Sequence, residues 1–293
     1  MNKLKVNMRY ILIIAALMCF SACQNGKTTT ANSSSASSSA ISSDDASIQN
    51  SKKNDYFKDS LAYKTISFYK ETKKSSLLAD SNKFAYVKAS YPQFADKQVF
   101  LNKEINTIIT AKPWTGEPAE NIEAATASFF KDYYNFKKDA PDSPAGYEWI
   151  NNVEVSFQDT NLVVLTTTAY VYTGGAHGLE SITYKNLDVK NKKEIALKDL
   201  FLPNFNSKLT KIAESIFRKD EGLTQTEPLE NYFFENKAFT LNNNFAITKK
   251  GLLFTYNPYE IKSYAEGTTN LLIPYLKIKN LIKPKSFIST YIK

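Results

Sequence analysis

The sequence predicts an α+β fold with mostly antiparallel sheets, helices packed on one side, and two associated subdomains. Segments that alternate apolar and polar residues recur in adjacent pairs joined by short turns, as at 149–158 and 162–172. Amphipathic helical segments at 97–110, at 119–137 and after Asn206 interrupt these strands. Runs of strands separated by runs of helices are typical of α+β proteins, in which most strands pair antiparallel.

The N-terminal half is predicted to contain two strands, two helices and a hairpin. Strands are expected at 61–69 and 84–91, and Pro92 is expected to end the second because proline lacks a backbone N–H. The helix at 119–137 has an apolar face with helical spacing, formed by Ile122, Ala125, Thr126, Phe129, Phe130 and Tyr133. A strand at 162–172, rich in Val, Leu, Thr and Tyr, is expected at the centre of the sheet.

The C-terminal half is predicted to begin with a strand at 179–187 and a short extended segment at 194–197. A helix after Asn206 buries Leu209, Ile212, Ala213, Ile216 and Phe217, and Gly222 ends it. The remaining predicted elements are a short helix at 229–238, a hairpin of strands 245–248 and 252–256, a strand at 268–275 and a short helix at 276–282.

The N-terminus has the pattern of a lipoprotein signal peptide over residues 1–22. Basic residues precede a short apolar run, and the small pair Ser21-Ala22 stands directly before Cys23. The apolar run is about half the ~20 residues that a membrane-spanning helix needs. The pattern resembles the bacterial lipobox, which implies that Cys23 becomes the lipid attachment site. An ordinary signal peptide with an incidental cysteine is the alternative.

Residues 23–54 are predicted to form a disordered tether rich in serine and threonine. Almost nothing in this segment is apolar, so it cannot bury enough surface to offset the entropy of ordering. Such a segment gives a folded body reach from its anchor.

Cysteine usage and charge exclude several classes of function. Cys19 leaves with the signal peptide and Cys23 carries lipid, so the folded body has no thiol for a disulfide, a cysteine metal site or a catalytic nucleophile. The net charge of the whole chain is +8, and Arg218 is the one arginine after the signal peptide. Readers of nucleic acid use arginine for bidentate contacts, so we expect no nucleic-acid partner.

The residues that could carry catalysis form no recognisable active site in the sequence. His177, the only histidine, stands in Gly174-Gly175-Ala176-His177-Gly178, and a structural role in a turn is favoured over catalysis or metal binding. No phosphate-binding loop, dinucleotide-binding glycine pattern or zinc-protease motif occurs, so no cofactor and no metal are expected. Strand-borne carboxylates could serve a glycosidase, and the candidates are Glu148, Glu154, Asp159 and Glu180.

A tyrosine-rich loop at 256–267 is the strongest candidate for recognition. It carries Tyr256, Tyr259 and Tyr264 between two strands, with a proline and a glycine that restrict its shape. Binding residues concentrate on loops held by a rigid scaffold, so we expect these tyrosines and the turn of His177 to form a contact surface. A loop pinned by packed tyrosines without a ligand is the alternative.

Three motifs together resemble the C-terminal domain of the anti-sigma factor RsiV, a domain of unknown function that also accompanies the peptidoglycan deacetylase PdaC. They are Gly174-Gly175-Ala176-His177-Gly178, Leu197-Lys198-Asp199-Leu200-Phe201, and Gly251-Leu252-Leu253-Phe254 followed by Tyr259-Glu260-Ile261 and Tyr264-Ala265-Glu266-Gly267. The region before them resembles the PdaC-type N-terminal domain. The resemblance implies an N-terminal domain at 55–172 and a C-terminal domain at 173–293.

The resemblance implies an extracytoplasmic module, because RsiV senses lysozyme by binding it and PdaC joins the domain to a separate deacetylase domain. This chain has no deacetylase metal motif. We therefore expect a lipid-anchored, non-enzymatic binding module of the cell envelope, in the outer membrane where the host has one. Its expected partner is a lysozyme-like protein or a peptidoglycan-type glycan. The alternatives are a cell-wall glycan hydrolase and a structural surface lipoprotein.

Overall fold

The structure, a computed structural model, describes residues 61–72, 84–113 and 116–292. The predicted signal peptide at 1–22, Cys23 and the tether at 23–54 lie outside the described residues. Within those ranges the fold is α+β with mostly antiparallel sheets, as predicted. No helix among the described residues combines the length and apolarity that a membrane span requires.

A six-stranded sheet organises the N-terminal part of the fold. Its strands lie side by side in chain order, and they are β1 (Tyr63–Glu71), β2 (Ala85–Phe94), β3 (Tyr147–Asp159), β4 (Leu162–Tyr172), β5 (Leu179–Asp188) and β6 (Lys193–Glu194). All neighbours pair antiparallel except β2 and β3. That parallel pair follows from the connection between them, which contains the helices α1 (Val99–Thr110) and α2 (Ile122–Asp139).

The helices α1 and α2 cover one face of this sheet. Trp149 of β3 and Phe129 of α2 are fully buried against each other, with ring centroids 5.8 Å apart. The predicted apolar face of α2 is buried except for Phe130, which is half-buried. Alternation along β2 and β3 therefore directs Tyr86 and Glu148 to the opposite, uncovered face, because their neighbours Val87 and Trp149 point to the helices.

A three-stranded sheet and a second core form the C-terminal part. The elements after β6 are α3 (Leu197–Leu200), α4 (Asn206–Asp220), β7 (Phe245–Ile247), β8 (Gly251–Tyr256), β9 (Thr269–Pro274) and α5 (Tyr275–Ile278). The strand order is β7-β8-β9, all antiparallel. Leu162 and Val164 of β4 belong to the core that Leu209 and Phe217 of α4 and Phe254 of β8 share. One apolar cluster thus joins both parts of the fold.

Two local predictions are wrong. The helix predicted at 229–238 is absent; a 3-10 turn spans Glu235–Lys237, because Asn236 and Lys237 adopt positive φ angles that a helix does not allow. Pro92 does not end β2, which continues opposite Thr65 of β1. Proline is tolerated there because β3 pairs with β2 only as far as Ser90, so no strand requires the missing N–H.

Side-chain amides join the outer edge of β5 to β7. Asn186 of β5 donates from its amide nitrogen to the backbone oxygen of Phe245 at 2.8 Å, and its Oδ1 accepts from the N–H of Ile247 at 2.7 Å. Because β5 also pairs with β4 along its length, the large sheet continues past position 172 into the C-terminal part. The loops that follow β4 and β8 are thereby held close together.

Candidate functional site

Three of the four predicted binding residues form one aromatic cluster. His177 lies between β4 and β5, whereas Tyr259 and Tyr264 lie between β8 and β9. The rings of His177 and Tyr264 are stacked, with centroids 3.9 Å apart and planes inclined by 20°. The Tyr259 ring lies 6.3 Å from His177 and 5.7 Å from Tyr264. We call these three residues the aromatic platform.

Hydrogen bonds orient the histidine of the platform. Its Nδ1 lies 2.8 Å from the backbone oxygen of Gly178, which can only accept, so we assign the proton of the neutral ring to Nδ1. In that tautomer Nε2 accepts from the hydroxyl of Tyr259, 3.2 Å away. The two loops are therefore joined by the stacking contact of His177 with Tyr264 and by the hydrogen bond of His177 with Tyr259, which is 82 positions away in sequence.

Tyr256, the fourth predicted residue, does not belong to the platform. It ends β8 and is 2% exposed, and its hydroxyl donates to the backbone oxygen of Thr240 at 2.8 Å. Burial raises the pKa of the Tyr256 hydroxyl above its ordinary value. Tyr256 holds the start of the loop from inside the core, whereas Tyr259, three residues later, is 52% exposed.

The turn that carries His177 depends on close packing against Tyr170. A Cβ added to Gly178 would overlap the ring of Tyr170 on β4, so the backbone at Gly178 and this ring lie in direct contact. Gly174 and Gly175 adopt positive φ angles of 91° and 101°, which residues with a side chain rarely adopt. These glycines turn the chain sharply after β4 and bring His177 over the edge of the sheet.

The tyrosine loop is held at its start by Asn257. The Oδ1 of Asn257 accepts from the N–H of Ile182 in β5 at 2.7 Å, and its amide nitrogen donates to the oxygen of the same residue at 3.1 Å. One side chain thus satisfies both backbone groups of Ile182, as a neighbouring strand would.

The middle of the loop is held by a largely buried ion pair. Lys262 lies 2.6 Å from the carboxylate of Glu221 at the end of α4, and the two side chains are only 14% and 19% exposed. Tyr232 donates to the same carboxylate at 2.9 Å. Burial and this hydrogen bond raise the pKa of Tyr232 to about 12.

The end of the loop is a capped turn that presents Tyr264. Both the hydroxyl and the N–H of Ser263 donate to the carboxylate of Glu266, at 2.7 and 3.0 Å. These two bonds hold the pKa of Glu266 below its ordinary value. Tyr264 is the first residue of the 3-10 turn Tyr264–Glu266, and the bonds between Ser263 and Glu266 hold the backbone of this turn in place.

A cleft of about 640 Å³ opens beside the platform, on the face of the large sheet that the helices leave uncovered. Glu148 lines the cleft between Tyr86 and Tyr172, and Gly175, two residues before His177, forms part of its rim. Sequence reasoning considered Glu148 as a catalytic carboxylate but missed the two tyrosines. The signal was available, because strand alternation puts Tyr86 and Glu148 opposite the buried residues Val87 and Trp149.

The carboxylates proposed for catalysis do not meet in this cleft. Of Glu148, Glu154, Asp159 and Glu180, only Glu148 lines it, whereas Asp159 lies at the far end of β3 and receives a hydrogen bond from Tyr291. Across the described residues, no group of three or more His, Cys, Asp or Glu side chains is placed to hold a metal ion. The site therefore consists of aromatic rings, hydroxyl groups and one carboxylate.

Comparison with known families explains the two-part fold. A family model described as deacetylase PdaC matches residues 78–180, and a model described as a protein of unknown function, DUF3298, matches residues 198–276. The chain thus has a region similar to PdaC followed by a region similar to DUF3298. The predicted resemblance to these two domains is thus confirmed. The aromatic platform takes His177 from the PdaC-type region and both tyrosines from the DUF3298 region.

Solved DUF3298 proteins share this fold. A DUF3298 family member from Bacteroides fragilis superposes with a TM-score of 0.63 at 23% identity, and covers 79% of this chain and 98% of its own. A DUF3298 family protein from Pseudomonas aeruginosa gives a TM-score of 0.61 at 20% identity, with 77% and 96% covered. No curated protein matches the chain. At these identities the likeness concerns the fold alone.

Proposed function

We propose that the protein is a lipid-anchored, extracytoplasmic binding module, and that the aromatic platform is its contact surface. The observation that carries the proposal is the convergence of His177, Tyr259 and Tyr264 from two loops into one aromatic cluster, in which His177 and Tyr259 are exposed and Tyr264 is half-buried. Rigid tyrosines bury a large area at low entropic cost, and they dominate binding energy in protein interfaces. Ion pairing and capping fix the loop in advance, which reduces the ordering cost of binding.

The preferred partner is a protein of the lysozyme-like class that the RsiV resemblance implies. Large apolar side chains are exposed beside the platform, as expected of a protein-binding surface. Leu179, two residues after His177, is 46% exposed, and Phe233, whose N–H bonds to Ile261 of the tyrosine loop, is 55% exposed. A peptidoglycan-type glycan is the second candidate, supported by aromatic rings that also carry hydroxyl and imidazole groups. A glycan hydrolase is less favoured, because Glu148 is the one carboxylate among the described residues that line the cleft.

Binding assays with matched tyrosine variants test this proposal. The full-length protein is immobilised and exposed to hen-type lysozyme and, separately, to purified cell-wall sacculi. Tyr259→Ala should weaken retention of the true ligand by at least tenfold, because a central interface tyrosine contributes about 2 kcal/mol or more. Tyr134→Ala is the control, since Tyr134 on α2 is equally exposed, at 51% against 52%. Equal effects of both substitutions, or no retention of either ligand by the unaltered protein, would refute the proposal.

The lipid anchor requires a separate test at Cys23. Mass spectrometry of the native N-terminal peptide should find cleavage before Cys23 and a mass increase matching acyl chains on that residue. Cys23→Ser should release the protein from the membrane fraction, because the serine- and threonine-rich sequence that follows has few apolar side chains to hold it in lipid. An unmodified Cys23 thiol in native protein would contradict the anchor while leaving the platform proposal intact.

A further inference from the structure

The cleft beside the platform offers hydrogen-bond acceptors and a negative charge. Among the described residues, its lining contains one carboxylate, Glu148, and no lysine, arginine or histidine, and the other described lining residues are Phe84, Tyr86, Ser143, Pro144, Ala145, Gly146, Tyr172 and Gly175. The ligand that fits such a lining carries positive charge and donates hydrogen bonds.

The hydroxyl of Tyr172 already donates its proton within the protein, to the backbone oxygen of Gly175 at 3.0 Å. Tyr86 stands opposite Glu148 in the register of β2 and β3, so both side chains lie on the face of the cleft. The hydroxyl oxygen of Tyr172 can therefore accept from a ligand, together with the carboxylate oxygens of Glu148. Burial and the charge of Glu148 raise the pKa of Tyr86 to about 12, as expected where the local potential is negative.

Aromatic faces complete the lining. The rings of Phe84 and Tyr86 lie 5.9 Å apart and are inclined by 39°, so they form an angled wall beside Glu148. A cation near such rings gains attraction from their negative faces in addition to its attraction to the carboxylate. Lys137, a described lysine near the rim, donates to the backbone oxygen of Ser143 at 2.6 Å and lies over the rings of Tyr133 and Phe136. Its ammonium group is therefore held by the rim.

We propose that this cleft binds a primary ammonium group on an aliphatic chain, with Glu148 as the counter-ion and the rings of Phe84 and Tyr86 as the wall. The chemistry matches a lysine side chain or a free aliphatic amine. This site is separate from the aromatic platform and does not depend on the platform's function. Variants of the two sites therefore give independent outcomes.

Calorimetric titration of the full-length protein with pentylammonium chloride tests the site. 1-Pentanol, which has the same chain without the charge, is the ligand control. At low ionic strength, where charges are weakly screened, pentylammonium should bind in about the millimolar range and 1-pentanol at least tenfold more weakly. Glu148→Gln should weaken pentylammonium binding by about tenfold or more, because it removes the negative charge that pairs with the ammonium group.

Glu154→Gln is the matched control, because it removes the same negative charge from a residue that lies on the same strand but does not line the cleft. It should change the affinity by less than about twofold, since exposed charges at a distance are screened. Tyr172→Phe, which removes one acceptor oxygen, supplies a second test should Glu148→Gln fail to fold, and it should weaken binding about threefold. Equal affinity for 1-pentanol, unchanged binding by Glu148→Gln, or an equal loss in Glu154→Gln would overturn the proposal.

Discussion

Removal of the Asn186 side chain should be among the most damaging single changes in this protein. Asn186 is 2% exposed, and its amide satisfies the oxygen of Phe245 and the N–H of Ile247. Both groups point away from β8, which pairs with β7 on the other edge. In Asn186→Ala they would remain buried without a partner, because β5 faces that side of β7 without backbone pairing, and β8 is the strand with which β7 pairs.

The expected loss of stability follows from the two backbone groups that lose their hydrogen-bond partner. A buried donor or acceptor without a partner costs about 1–3 kcal/mol, so Asn186→Ala should lower the free energy of unfolding by about 2–6 kcal/mol. Domains of this kind have about 5–15 kcal/mol in total, so the loss is a large fraction of the stability. Asn186→Asp should be at least as damaging, since it replaces the donor by an acceptor and buries a charge.

Urea unfolding followed by far-ultraviolet circular dichroism measures this loss. Asn152→Ala is the control, because Asn152 lies on the same sheet but bonds only to the exposed side chain of Glu154. It should change the free energy of unfolding by less than about 0.5 kcal/mol. A single transition is expected, since Leu162 and Val164 of β4 share a core with the C-terminal sheet. If the two variants unfold alike, Asn186 does not join the sheets as described.

Three further predictions concern the small sheet and the tyrosine loop. Gly251→Ala should cost about 2–4 kcal/mol in urea unfolding, because the new Cβ would overlap a carbonyl of β9; a cost below about 1 kcal/mol would contradict this contact. Lys262→Met should leave Glu221 without its cation, and should cost about 1–3 kcal/mol and speed amide exchange in the loop; unchanged exchange would show that the ion pair does not hold it. The pKa of Glu266 is lower in the folded protein than its ordinary value of 4.5. The stabilisation that the ionised Glu266 gives the fold is therefore fully present above pH 4.5, and it is lost as the pH falls through the pKa of the folded state. The amide resonance of Ser263 should therefore titrate below pH 4.5, and not in Glu266→Gln.

The elements were predictable where their pattern is local. The apolar spacing of α2 identified Ile122, Phe129 and Tyr133, and all three are buried. A helix or strand buries one face whatever lies beyond it, so a short window of sequence carries this information. The failed helix at 229–238 shows the limit, because Leu229 and Phe234 are buried in the core without forming a helical face, whereas Phe233 is 55% exposed.

The aromatic platform was predictable in membership but not in geometry. Glycines around His177 and the density of tyrosines marked both loops, but nothing local shows that His177 would stack on Tyr264. Tyr256 was placed with Tyr259 because they are close in sequence, although a strand end and the following loop point in different directions. The alternation of β8 puts Tyr256 on the same buried side as Phe254, whereas Tyr259 lies beyond the end of the strand.

Side-chain amides explain why the sheet edges could not be predicted. An amide carries a donor and an acceptor, so it can satisfy the N–H and the C=O of one strand residue as a neighbouring strand would. Gln158 with Leu61, Asn102 with Phe94 and Asn257 with Ile182 follow that rule, and Asn186 and Asn244 each satisfy the N–H of one residue and the C=O of another on the facing strand. In sequence such residues indicate turns or solvent-exposed positions. Here they end sheet pairing, join the two sheets and fix the tyrosine loop, so the position of the platform depends on polar residues that no hydrophobic pattern reveals.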